Sequence, residues 1–499
     1  MALIINSAEL PTLDPEQTHW CYNALDCCVT HEVGLAQDPQ VTKNADLIYT
    51  FERAMQAPAL EMMTRGVRID SALKTTMILE FEAKKKLLQA NLNRMSNAVW
   101  EQDLNPNSPK QLKDFLYSIM GLPVQTKRGA NGKYGPSTDR NALENLRPHF
   151  MSRPIISTIL ALRDHTKLLS VLRSGVDKDG RIRASYNVAG TETGRWSSSA
   201  NAFGTGTNLQ NITEKLRTIF VADPGMKFAY IDLEQAESRA VAGIIYQLFG
   251  ETEYLDACES GDLHTTVCRM VWTGLPWTGE LYHDKKSIAG QTFYRDFTYR
   301  DMAKRGGHGT NYYGTPYTMA RHLKVETEVM QRFQRSYFDA FPGIRKWHHE
   351  VARQLQIHGH LTTLLGRKRF FFGRRNDDAT LREAIAYNPQ STVGDILNLG
   401  AWRVWKADCV QMLGQIHDAI LIQYPEKDED KIIPQVLDLI TVPIPLGDRE
   451  LIIPSEAQVG WNWNHKSENN PDGLSEFTGH DERTRTRSAN TSLLDTVLP

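Results

Sequence analysis

An α+β fold is predicted, and two segments carry the prediction. In the first, Phe228, Ala229, Tyr230 and Ile231 form a buried-strand run that stops at Asp232. Ala236, Ala240, Val241, Ile244 and Ile245 then recur at helical spacing, so Asp232 is expected on a strand-to-helix corner. In the second, Val410, Met412, Leu413 and Ile416 precede His417-Asp418, and Ala419, Ile420, Leu421 and Ile422 follow, which reads as a hairpin whose turn carries the acid. Two strand-end carboxylates set side by side repel unless cations lie between them, so the pair suggests a divalent-metal site.

The chain has 499 residues, too many for one compact core, and its 41% hydrophobic and 23% charged content is ordinary for a soluble globular protein. No apolar run reaches the length of a membrane span and the first residues lack a signal pattern, which leads us to expect a cytoplasmic protein with no membrane partner. The six cysteines show no zinc spacing and are expected to be reduced. A net charge of -2 does not announce nucleic-acid binding, but positive charge is clustered at Lys84-Lys85-Lys86, at Lys127-Arg128 with Lys133, at Arg181 and Arg183, at Arg367-Lys368-Arg369 and at Arg374-Arg375. Such clusters suit sequence-independent phosphate contacts.

Along the chain, Tyr22 and Asp26 fall four residues apart, on one side of a short helix. At Asn107 to Ile119, Ser108 suits an N-cap, Pro109 the first helical position and Gln111 the third. Leu112, Phe115, Leu116 and Ile119 follow on one face. Arg300, Lys304, His308 and Tyr312 recur every four residues and are expected along one helical face, about 6 Å per step, with a cationic end and a ring-bearing end. From about Ser467 the chain is polar and poor in aromatics, and reads as a disordered tail.

The two acidic segments resemble motifs A and C of the family A DNA polymerases. Thr191-Glu192-Thr193-Gly194-Arg195-Trp196-Ser197-Ser198 with Asn208-Leu209-Gln210-Asn211-Ile212 resembles the family's T-x-T-G-R-x-S-S and N-L-Q-N-I stretches, and Arg300, Lys304 and Tyr312 resemble motif B. Gly261 to Thr265, Leu365 to Arg369, Asn388 and Gln390 before Asp395, and Val459 to Trp463 continue the series over roughly residues 50 to 466. The resemblance is to the bacteriophage type, and Tyr22 with Asp26 is similar to the third motif of a 3′–5′ exonuclease domain that is otherwise missing.

The resemblance implies a right-hand polymerase fold with an antiparallel-sheet palm and helical fingers and thumb. It divides the chain into an exonuclease remnant (1–45), polymerase start and thumb (46–180), palm with motif A (181–235), fingers with motif B (236–395), palm with motif C (396–466) and the tail (467–499). It further implies a template-directed DNA polymerase that adds deoxynucleotides to a primer 3′ end with two Mg²⁺ ions, Mn²⁺ being able to substitute. Asp232, Asp418 and the Leu233 carbonyl would hold the metals. Lys304 would be catalytic, and Arg300, Lys304 and His264 would hold the triphosphate. His308 and Tyr312 would meet sugar and base, with Gln235 beside them and Glu237 as a steric gate against ribose. Arg195, Asn211, Asn388, Gln390, His417, Lys127, Arg128 and Arg367 would contact or support DNA. The expected partners are primer–template DNA and deoxynucleoside triphosphates, and in phage replication a helicase-primase, a single-strand-binding protein and a separate exonuclease, around a monomer.

The sequence departs from the family pattern at Ala419, where a second carboxylate is usual, and at Gly306-Gly307, where an apolar pair is usual. Each glycine costs roughly 1 kcal/mol of helix propensity, which predicts a pliable motif B helix. Two other readings stand beside replication: a repair or translesion polymerase, and an inactive nucleic-acid-binding scaffold, against which Asp232, Asp418, Arg300 and Lys304 argue.

Overall fold

The computed structural model describes residues 14–40, 43–129, 132–201, 204–277, 287–295 and 297–478. They fall into two compact units, one drawn from 56–239 and 393–478, the other from 14–55 and 240–392. No helix among the described residues is long and apolar enough to cross a membrane, and all six cysteines are free.

The first unit is organised by a five-stranded antiparallel sheet. Its strands are β1 (Met226–Leu233), β2 (Gln411–Ile416), β3 (Ala419–Pro425), β4 (Ser455–Gly460) and β5 (Ser475–Glu476), in the order β2-β3-β1-β4-β5. β1 is central because Phe228, Ala229 and Ile231 have neighbours on both sides and are fully buried. β3 pairs with it from Ala419↔Asp232 to Pro425↔Met226, and β4 from Ser455↔Leu233 to Gly460↔Phe228. The strand-to-helix corner lies where the sequence placed it, with helix α1 (Ala236–Phe249) following β1, and β2 and β3 form the expected hairpin.

The predicted disordered tail begins too early. Residues 467–478 are ordered, and β5 joins the sheet through Val459↔Ser475 and Gln458↔Glu476. Polar composition misleads here because asparagine side chains replace an apolar core: Asn462 and Asn470 exchange amide hydrogen bonds of 2.7 and 3.1 Å while buried. Residues 479–499 lie outside the described residues.

A second core in this unit joins helices Ser71–Trp100 and Arg153–Leu172 through Leu92, Leu112, Phe115, Leu116, Ile156 and Ile159. Ser108 caps the segment after it, accepting from the Gln111 amide, as its spacing predicted. Ile119 is 43% exposed, contrary to the helical pattern. Residues Asp114–Ile119 form a π-helical turn, whose wider winding rotates Ile119 off the buried face.

In the other unit, α2 (Leu263–Val271), α3 (Tyr299–Asn311) and α4 (Thr327–Ala340) pack together. α3 opens on a capping box between Thr298 and Asp301. Its end is tied down by a buried network in which Asn311 donates to the Tyr254 hydroxyl (2.8 Å) and accepts from Tyr337 (3.0 Å). Gly306 and Gly307 are buried against α4, so these glycines serve close packing rather than pliability: a Cβ on Gly306 would lie 2.5 Å from Phe333 Cε1, and one on Gly307 3.2 Å from Tyr337.

Gly306→Ala therefore tests packing against propensity. Propensity alone favours alanine by roughly 1 kcal/mol, whereas overpacking against Phe333 costs about 1–3 kcal/mol. Net destabilisation in urea unfolding is expected; a stabilised variant would contradict the packing account.

Candidate active site

The sheet register brings the two strand-end aspartates together. Ile231 and Leu233 point into the core, so alternation turns Asp232 to the open face of the sheet. On the neighbouring strand, His417 and Asp418 make the tight turn between β2 and β3, and the Leu233 amide donates to the Asp418 carbonyl at 3.2 Å. Both corners contain a non-glycine residue in the left-handed region, Gln235 at φ 53° and His417 at φ 55°. That conformation costs roughly 1–2 kcal/mol per residue, so surrounding contacts must hold it.

Like charges crowd this corner. The edge of Asp232 reaches solvent, yet surrounding protein, then Asp418 and Glu456, push its carboxyl up to about 6. Burial also raises Asp418, against the lowering influence of Arg195. Glu456 stands opposite Asp232 across the β1–β4 pair. No sequence signal pointed to it, because strand register is set by tertiary pairing.

Arg195 is the positive counterpart. Its Nη2 lies 2.8 Å from Asp418 Oδ1 and 2.9 Å from Glu237 Oε1, the latter in the first turn of α1. The loop carrying it is anchored from behind. Buried Gln415 donates to Asn398 Oδ1 (2.7 Å), and Asn398 donates to the Gly194 carbonyl (3.2 Å). A side chain at Gly394 would meet Arg195 Cγ at 3.1 Å. Asn398 and Gln415 belong to the machinery that holds the site, and sequence reading missed both.

In the helical unit, α3 presents two faces. Lys304 and His308 are exposed while Met302, Ala303, Gly306 and Gly307 are buried. Tyr312 is not in the helix body but caps it, its ring 4.8 Å from that of His308. Arg300 makes a two-pronged ion pair with Asp262, Nε at 3.0 Å and Nη2 at 3.1 Å. Buried Asp262 also caps α2, accepting from the His264 amide and the Thr265 hydroxyl. Arg300 is thus oriented by an acid that the sequence reading left without a role.

The remaining predicted residues are scattered. Lys127 and Arg128 lie on an exposed hairpin, Thr126–Arg128 with Tyr134–Pro136, where Lys127 pairs with Asp139 at 2.9 Å. Asn211 and the His417 side chain are exposed, Gln235 and Gln390 half-buried and Asn388 buried. Arg367 is not on the surface: it is 8% exposed and paired with Glu52, and the outward basic residue is Lys368, which opens the strand that follows it. Tyr22 and Asp26 are exposed on helix Pro15–Gln37, which buries none of its residues.

Residues 75–465 match DNA polymerase family A, which covers the strand-end aspartates, the Arg195 loop and the α3 helix together. The chain belongs to DNA polymerase family A. It is 27% identical over 429 residues to the thermostable DNA polymerase I of Thermus aquaticus, covering 82% of this chain and 47% of that protein. It is 28% identical over 439 residues to DNA polymerase I of Mycobacterium tuberculosis, covering 83% of this chain and 44% of the relative. The chain thus spans about half the length of the curated relatives it matches. The POL domain of Pol1 from M. smegmatis, solved in complex with DNA primer-template and dNTP, superposes with a TM-score of 0.68 at 24% identity, over 83% of this chain and 70% of that one. The fold is therefore the right-hand polymerase fold, and these relatives are bacterial rather than phage proteins.

Replacing Asn398 tests the anchoring of Arg195. Asn398→Leu leaves the Gly194 carbonyl and the Gln415 amide unpaired in a buried setting, which costs about 1–3 kcal/mol. Denaturant unfolding should register that loss; a change near zero would show that water substitutes for the amide.

Proposed function

We propose that this chain is a template-directed DNA polymerase that extends a primer 3′ end with deoxynucleotides by two-metal catalysis. The observation that carries the reading is the Asp232–Asp418 pair, held at a strand end and in the turn that leads into the neighbouring strand, against its own repulsion and flanked by Arg195 and Glu237. The donor set fits Mg²⁺: hard carboxylate oxygens, few in number, on a partly open face that leaves room for water and phosphate oxygens. Asp232, Asp418 and the Leu233 carbonyl would hold the ions. When bound, the metals lower the pKa of the primer hydroxyl and neutralise the triphosphate.

The protein's own groups do the positioning. Arg195 balances Asp418 and fixes its orientation. Glu237, immobilised by the same guanidinium, presents a fixed bulk where a ribose 2′-hydroxyl would sit. Lys304 and His308 offer an exposed cation and ring along α3, with His264, Arg300 and Tyr312 near its ends. In this reading the cations take the triphosphate and the rings meet sugar and base. Lys127 and Arg128 supply phosphate contacts to the duplex.

Asp232→Asn and Asp418→Asn should each reduce Mg²⁺-dependent primer extension on the order of a hundredfold to a thousandfold or more, the scale of lost transition-state electrostatics. Primer–template affinity, measured by anisotropy, should change little. Near-normal turnover in either variant would remove the metal-site assignment.

Glu237→Ala should raise ribonucleotide incorporation by roughly tenfold or more, since relieving a clash with one small group is worth about 1–3 kcal/mol. Comparing kcat/KM for ribo- and deoxynucleotides in both proteins measures this. Unchanged sugar discrimination would assign the gate to another residue.

A further inference from the structure

Strand alternation on one small hairpin separates two kinds of surface. His360–Thr362 pairs antiparallel with Lys368–Phe370, with His360 opposite Phe370 and Thr362 opposite Lys368. The inner side is satisfied: Leu361 is 1% exposed, and Phe371 packs edge-on to Tyr387 with the Arg369 guanidinium over its ring at 4.6 Å. The outer side carries rings with no such cover. Phe370 is 54% exposed and Phe372, the next outward position, 97% exposed.

A single exposed aromatic is ordinary. Here the rings form a row: His358 lies 5.6 Å from His360, and His360 lies 5.1 Å from Phe370. Lys368 Nζ sits 5.7 Å from the Phe370 ring. The hairpin itself is basic: residues 358–375 contain Arg367, Lys368, Arg369, Arg374 and Arg375 and no acid, and of the two aspartates that follow, Asp377 and Asp378, the second pairs with Arg382. Glu52 and Glu383 neutralise Arg367 and Arg369, whereas Lys368, Arg374 and Arg375 remain on the exposed side.

We infer that this outer face is a docking platform for single-stranded DNA, stacking unpaired bases on Phe370 and Phe372 while Lys368, Arg374 and Arg375 meet the backbone. Stacking faces beside cations bind single strands without reading sequence, because every base has a π-face. A protein partner would favour a drier patch depleted of charge at its centre. The choice of DNA, and of an unpaired template strand as its source, rests on the polymerase reading above; the stacking surface does not.

The test uses the full chain and fluorescence anisotropy on two primer–templates, one with a long unpaired 5′ template extension and one with a short one. Phe370→Ser combined with Phe372→Ser should weaken binding to the long-extension substrate by at least about fivefold, the lower end of the range for a lost stacked base. Affinity for the short-extension substrate, and its extension rate, should be unchanged. Phe372→Ser alone, at a side chain almost wholly in solvent, should show part of the loss without touching the core. Lys368→Gln with Arg374→Gln should flatten the salt dependence of long-extension binding. Equal weakening on both substrates, or none on either, overturns the proposal. So does self-association of the wild-type chain that the double variant abolishes, which would make the patch a protein interface. A wild-type chain that fails to extend primers but still loses overhang binding in the variant would overturn the polymerase reading and leave this one standing.

Discussion

Antiparallel pairing of β1 with β3 is the constraint on which the site depends. The hydrogen-bond ladder from Met226 to Asp232 fixes the register, and that register sets carboxylates beside one another where electrostatics alone would keep them apart. Burial of Phe228, Ile231, Ile420 and Ile422 provides the opposing stabilisation, roughly 1.5–3 kcal/mol for each large apolar side chain. The sheet thus acts as a rigid jig that sustains the repulsion between the carboxylates.

Arg195 completes the arrangement without being part of the sheet. Its guanidinium joins the turn acid to the first helical turn after β1, and Gly194, Asn398 and Gln415 tie its loop back to strand β2. A similar economy operates in the helical unit. Asp262 caps one helix with one set of lone pairs and orients Arg300 of the next with others. Glycines at 306 and 307 let α3 and α4 approach until aromatic rings fill the space a Cβ would occupy, so the exposed Lys304 and His308 project from a well-packed support.

The parts of the fold and site that were legible in the sequence are those governed by local periodicity. The run ending at Asp232, the hairpin around His417-Asp418 and the cap at Ser108 each follow from neighbours within a few residues. The parts that were not legible depend on distant partners. Glu456 meets Asp232 only through β4 pairing, and Asn398 meets Gly194 across 204 positions of chain. Arg367 was placed on the surface by its charge cluster, but alternation turned it inward to Glu52 and turned Lys368 outward. Residues 467–478 looked too polar to order, yet reciprocal asparagine bonds close them onto the sheet. Tyr312 kept the spacing of its helix but fell one residue past its end.

Gln235 and His417, the two left-handed residues at the corners, set selection for stability against selection for geometry. Glycine would be the more comfortable residue at either position. A lineage or an engineer optimising thermal tolerance would drift toward it, gaining folding free energy while loosening the hinges that aim the carboxylates. Such positions are easily mistaken for defects awaiting repair. They mark where a stabilising glycine and a fixed backbone corner are in direct competition.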